Sequence, residues 1–343
     1  MKIIDNIESA RSFIDNRNRA NAGVLSQDSI SSTYNASVDK ILNNVRLNGD
    51  QSLIQYTKEF DGVDLNKIQL NDEEISNGAK NVSKDLFDAL KISSQRIYQF
   101  AKETMPSSWF DQDSGLGESV VPMQKVGLYV PGGTATYPST VLMSAMIAKA
   151  VGVPEIILCT PPKNNGIPDD SILAAAHIAG IDKVYCIGGA QAIAAMAYGT
   201  ETIPKVDKIC GPGNIYVTLA KKKVFGEVGI DGLFGPTETV VIADDNARPE
   251  FCAADMLAQA EHDELAFPVL ITTSKNVLAN VEKELNKQLK KLDRNKIAKQ
   301  SIDNNCALIL VDSIEMCIEL SNLIAPEHVC LNIQNANDWI AHI

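Results

Sequence analysis

The run Gln259-Ala260-Glu261-His262-Asp263 sets an amide oxygen and an imidazole three positions apart. On a helix that spacing turns both toward one spot, where they can bind a divalent metal such as zinc. Gln is an unusual zinc ligand and two ligands do not complete a site. On spacing alone a solvated helix end is the simpler reading. Ala325-Pro326-Glu327-His328 places an acid beside an imidazole where a helix gives way to a strand. Such a pair suits general acid–base work near neutral pH, although an exposed polar turn accounts for the pattern alone. Two further histidines complete the set. His177 lies in an apolar helix and reads as structural, and His342 lies in a short terminal element. Cys210 stands at a strand end and has the chemistry to attack an aldehyde. No base is visible near it, and a buried thiol is the simpler reading.

Glycine turns follow three apolar runs: Pro131-Gly132-Gly133, Gly188-Gly189-Ala190-Gln191 and Gly211-Pro212-Gly213-Asn214. Glycine lets a backbone approach a phosphate, and helix N-termini favour anions. No GxGxxG fingerprint or GxxxxGK[ST] loop is present, so the turns imply a small-molecule site of nucleotide character and do not name the nucleotide.

The elements that must carry these groups follow from periodicity. The first 110 residues read as helices, over 37–47, from Leu53 to about Phe60, and over about 83–103, with a break at Gly49-Asp50. From Val126 apolar strands alternate with helices. Strands are expected at 126–130, 155–160, 183–187, 208–210, 239–243, 268–273, 307–311 and 329–333. Helices are expected between them, with Ser139 as one N-cap and a long charged helix over about 277–300. Repeated alternation with apolar strands implies parallel sheets covered on both faces, in two sets divided near residue 236.

Composition narrows the class. The chain has 343 residues, 45% hydrophobic and 22% charged, with 43 acidic against 31 basic side chains and a net charge of −12. That field does not attract nucleic acid or anionic lipid. The basic cluster Lys221-Lys222-Lys223 reads as a solvated helix face rather than a phosphate site. No apolar stretch is long enough to span a membrane, and the start is unlike a signal peptide. Seven scattered cysteines without a CxxC pattern fit reduced thiols in a cytoplasm.

Six motifs in order resemble the histidinol dehydrogenase family. They run from Val126-Gly-Leu-Tyr-Val-Pro-Gly-Gly133 through Gly188-Gly-Ala-Gln-Ala-Ile193, Gly211-Pro-Gly-Asn214, Gly235-Pro-Thr-Glu238 and Gln259-Ala-Glu-His-Asp263 to Pro326-Glu-His328. The resemblance implies an α/β fold of two Rossmann-like modules with parallel sheets, one inserted in the other. It also implies a relation in fold to aldehyde dehydrogenases and an N-terminal helical region. Residues 1–125 with 238–343 are expected to build one module and residues 126–237 the inserted NAD-binding one. It further implies a cytoplasmic homodimer that oxidises L-histidinol to L-histidine with NAD and zinc. By the same resemblance Gln259 and His262 are zinc ligands and contact substrate. His328 is the base and touches substrate, and Glu327 activates water. Tyr129, Gln191 and Asn214 contact NAD, and Thr237 replaces the usual serine of a substrate-contacting turn.

Family members continue past this point by roughly a quarter of this chain's length, a range normal for an extra module. The terminal run from Asn335 begins like a capped helix and is then expected to be interrupted, with loss of further zinc ligands and impaired activity. The alternatives are a dehydrogenase of another alcohol, such as a sulfonated diol, and a relative without catalysis.

Overall fold

The computed structural model describes residues 1–24, 29–132, 136–234 and 237–343, leaving the side chains of 19–24 and 29–32 aside. Gly133 and Gly235-Pro236, expected in turns, lie outside the described residues.

In chain order the elements begin with β1 (Lys2–Ile4), α1 (Ile7–Val24), α2 (Ser29–Asp61), α3 (Asp72–Asn81) and α4 (Lys84–Thr104). A hairpin of β2 (Trp109–Asp111) and β3 (Leu116–Glu118) follows. Then come β4 (Lys125–Tyr129), α5 (Pro138–Ala150), β5 (Glu155–Cys159), α6 (Asp170–Ala179) and β6 (Lys183–Tyr185). After them run α7 (Gly189–Tyr198), β7 (Lys208–Cys210), α8 (Ile215–Val224) and β8 (Gly229–Ile230). The last stretch holds β9 (Glu238–Ala243), α9 (Pro249–Ala260), β10 (Phe267–Thr272), α10 (Lys275–Leu289) and α11 (Asn295–Asn305). It closes with β11 (Ala307–Leu310), α12 (Ile314–Ile324) and β12 (His328–Asn332). Among the described residues no helix is long and apolar enough to cross a membrane.

Two compact units result, one of residues 32–234 and one of residues 1–31 with 235–343. The expected boundary at 125/126 therefore differs from the observed one at 31/32, whereas the return point expected at 237/238 lies close to 234/235. The reason is packing. Val38, Ile41, Leu42, Val45 and Leu53 of α2 are buried in one core with Leu128 of β4, Leu142 of α5 and Leu158 of β5. The N-terminal helices thus bury their apolar stripe with the sheet that follows them in sequence.

In the unit of residues 32–234 the parallel strands lie in the order β6-β5-β4-β7-β8. Counted along the chain that is 3-2-1-4-5, the doubly wound order, which reverses between β4 and β7. The strands are buried almost throughout, as a sheet covered on both faces requires. Gly49, at φ +51 and ψ −131, kinks α2 where the break was expected.

The other unit holds a second parallel sheet, β1-β11-β10-β9-β12. Its two faces bury separate cores, one around Val241, Met256, Leu270 and Leu285, the other around Ile14, Val240, Phe267 and Ile309. Alternate residues of each strand thus serve opposite layers.

Local details depart from expectation in three places. Ser139 is not an N-cap, because α5 starts with Pro138 at its first turn and Tyr137 before it. The long charged helix is two helices separated at 290–294. That stretch holds no Gly or Pro to mark a break, so periodicity alone merges them. Beyond Asn335, which adopts φ +56, the chain forms 3₁₀ turns over Ala336–Asp338 and Ile340–His342 in place of an α-helix.

Candidate active site

The residues expected to contact a dinucleotide gather at the carboxyl edge of the β6-β5-β4-β7-β8 sheet. Tyr129 ends β4, Gln191 lies in the first turn of α7, and Asn214 caps α8 just after β7. The crevice outside the reversal between strands one and four is where open α/β sheets bind nucleotides. Burial pushes the Tyr129 hydroxyl up to about 12, and its oxygen accepts the Gly189 N–H at 3.1 Å. Asn214 Oδ1 accepts the N–H groups of Tyr216 and Val217 at 3.1 and 3.2 Å, which commits its oxygen to the helix.

Gln191 Oε1 is buried without a hydrogen-bond partner. A buried acceptor left unpaired is costly, and a ligand donor such as a hydroxyl or carboxamide N–H would satisfy it. The donor chemistry and the sheet order both fit a dinucleotide.

Asp61, at the end of α2, was not singled out by sequence as a site residue. Its Oδ2 is also buried without a partner, and its charge helps raise Tyr129. Burial holds the Asp61 carboxyl above the usual carboxylate range. A carboxyl raised in the fold costs stability once pH exceeds its unfolded value of about 3.9 and the chain must bury the ionised form. Asp61→Asn is therefore expected to raise the melting temperature at pH 7. That gain should shrink as pH falls toward the ordinary carboxyl value, read by scanning calorimetry of wild type and variant across that range.

Burial pushes the Cys210 thiol up to about 11, so little thiolate exists at neutral pH. Cys210 is partly rather than fully buried, and its raised thiol disfavours the nucleophile reading. All seven cysteines are free. His177 is exposed in the last turn of α6 rather than buried among its apolar neighbours.

In the unit of residues 1–31 and 235–343 the expected catalytic residues gather at the amino edge of the sheet. His328 is the first residue of β12 and pairs in register with Thr239 of β9, so Glu327 and His328 enter the sheet beside Glu238. His328 Nε2 stands 3.8 Å from Glu327 Oε1, and both side chains are about half exposed, at 50% and 53%. Thr237 directly precedes β9, and its carbonyl accepts the Phe267 N–H at 2.9 Å.

Glu238 faces Arg17 of α1 at 3.7 Å, and that guanidinium lies over the Phe267 ring at 3.5 Å. Burial raises the Glu238 carboxyl, Arg17 opposes the shift, and the Glu327 charge adds to it. Neither Arg17 nor Glu238 was expected to act. The Glu238 neighbourhood follows from strand register, which a motif does not reveal.

Helix α9 returns from the carboxyl edge to the amino edge and ends at Ala260, with Gln259 in its last turn and His262 just beyond its cap. Cys330 of β12 contacts Asp255 of α9 at 3.1 Å. Gln259 lies one turn beyond Asp255 on the same helix face, roughly 6 Å along the axis. His328 lies two residues before Cys330 on the same strand face, roughly 6.6 Å away. Both steps run toward the amino edge, so Gln259 comes level with His328.

Gln259 Oε1 is buried without a partner, and His262 is exposed. An orphaned amide oxygen at Gln259 and an exposed imidazole three residues on have the donor chemistry of part of a zinc shell. Among the described residues no group of three His, Cys, Asp or Glu side chains is placed to hold a metal. Zinc sites use at least three protein ligands, so Gln259 and His262 by themselves would not complete one.

The profile of the histidinol dehydrogenase family matches residues 25–343. Histidinol dehydrogenase of Bacillus cereus is 46% identical over 330 residues, spanning 94% of this chain and 76% of that protein. The enzyme of Clostridium acetobutylicum is 47% identical over 306 residues, spanning 88% of this chain and 71% of its own. The crystal structure of histidinol dehydrogenase from Elizabethkingia anophelis superposes with a TM-score of 0.91 at 36% identity, covering 100% of this chain and 78% of that one. With the ordered motifs resting on matching elements, the chain belongs to the histidinol dehydrogenase family of oxidoreductases.

Proposed function

We propose that the protein oxidises L-histidinol to L-histidine through the bound aldehyde, with NAD and zinc, as a cytoplasmic homodimer. The observation that supports this most directly is the half-exposed Glu327–His328 pair at the sheet edge toward which Gln259 also runs, in a chain of this family. The net reaction takes one alcohol, one water and two NAD to one carboxylate, two NADH and three protons.

His328 acts as the base that accepts the alcohol proton as hydride departs. Glu327 then takes a proton from water as its oxygen adds to the aldehyde carbon, and the hydrate loses the second hydride. NAD, held by Tyr129, Gln191 and Asn214, supplies the hydride acceptor. Zinc, with Gln259 and His262 among its ligands, supplies orientation of the amino alcohol. Thr237 retains the hydroxyl that a serine would offer the substrate.

Incubation of the 343-residue chain with L-histidinol, NAD and zinc tests the reading by NADH absorbance. NADH formation that a chelator abolishes is expected. Turnover of a sulfonated diol without turnover of histidinol would move the reading to another alcohol. A folded sample inert toward every alcohol would support a relative without catalysis.

A further inference from the structure

The Lys221-Lys222-Lys223 run reads as a solvated face, yet Lys221 is 2% exposed. Its Nζ donates to the Gly211 carbonyl at 3.0 Å and pairs with Asp231 Oδ1. Asp231 Oδ2 accepts the Gly211 N–H at 2.7 Å, and Oδ1 also accepts the Gly232 N–H at 2.8 Å. One ion pair thus grips both backbone polar groups of Gly211. The Phe234 ring covers the ammonium at 4.9 Å.

Gly211 needs that grip. It sits at φ +127, where a Cβ would lie 1.9 Å from the Tyr129 carbonyl oxygen. Only glycine tolerates this approach, and glycine is also the residue with the most conformational freedom to lose. The turn it opens ends at Asn214, the α8 cap at the reversal point of the sheet. A buried ion pair gives little net stability, since well-packed apolar residues of similar size often do as well.

We propose that Lys221 and Asp231 are positioning residues for the dinucleotide, clamping Gly211 so that the Gly211–Asn214 turn is set before the ligand arrives. This rests on the reading of that turn as the NAD site. The pair touches no ligand. It acts through the backbone it holds.

The test measures the NAD dissociation constant by calorimetric titration, together with the melting temperature. Wild type, Lys221→Met, Asp231→Leu and the Lys221→Met/Asp231→Leu double variant are compared. Asp231→Leu leaves the buried Lys221 ammonium without its carboxylate, and Lys221→Met leaves the partly exposed Asp231 without its cation, so each is expected to lower both stability and affinity. The double variant removes both charges but also the partners of the Gly211 N–H and carbonyl, so it is expected to melt above either single variant and below wild type while binding NAD at least about fivefold more weakly.

A double variant with wild-type affinity overturns the proposal. Should the double variant melt no higher than the single variants, Lys221→Arg decides. It keeps the charge but not the single-point donor geometry, and is expected to weaken NAD binding. Unchanged affinity in Lys221→Arg overturns the clamp. Wild type that does not bind NAD overturns the assignment of the turn, and the clamp with it, before any variant is made.

Discussion

Substituting Asn for His328 is expected to lower the rate of NADH formation from L-histidinol by about 10²–10⁴-fold, the usual contribution of a positioned general base. Asn keeps the side chain polar and of similar reach, and at a half-exposed position it disturbs no packed core. Melting should therefore stay at the wild-type value while turnover falls. Glu327→Gln should behave differently. The alcohol step retains its base, but water is no longer activated at the aldehyde. A single-turnover experiment with excess NAD is expected to give about one NADH per site where wild type gives two. A His328→Asn variant with wild-type turnover would remove that residue from the chemistry. Two NADH per site from Glu327→Gln would do the same for Glu327.

Loss of metal is the second large effect. His262→Asn is expected to weaken zinc binding by more than about 100-fold, since loss of an outer-shell partner alone commonly costs 10–100-fold. Competition with a chromophoric zinc chelator reads this without any turnover. Gln259→Ala removes the buried orphaned oxygen and should weaken zinc in the same assay. NAD affinity should be unaffected in both variants, because Tyr129, Gln191 and Asn214 belong to the other compact unit. Equal zinc affinity in wild type and His262→Asn would assign the metal elsewhere.

Much of the architecture was legible because burial on both faces makes parallel strands read as apolar runs, and the runs at 126–130, 155–160 and 239–243 each match a strand. Short or exposed elements were not legible. The β2–β3 hairpin has strands of three exposed residues, and β8 has two residues, too few for a period to register. The membership of residues 32–125 was equally hidden. A helix advertises that it has an apolar face, but not which sheet will cover it.

The same division runs through the candidate site. Gln259, His262, Glu327 and His328 could be named from sequence because each motif is local, and residue type with spacing suggests the chemistry. Their arrangement at one sheet edge required the return path of α9 and the register of β12 on β9. Arg17 lies more than 200 positions from Glu238 in sequence and meets it only through folding. Lys221 shows the limit most directly. In sequence it is one of three adjacent lysines, alike in charge and helix propensity, and only helix rotation sends it inward to Asp231 while its neighbours take other surroundings. Sequence alone determined the alternation of strands and helices, the family motifs and the candidate chemistry, all properties of neighbouring residues. Tertiary structure alone decided which unit claims each helix, which groups share an edge and which charge is buried. Those outcomes depend on contacts between segments distant in the chain.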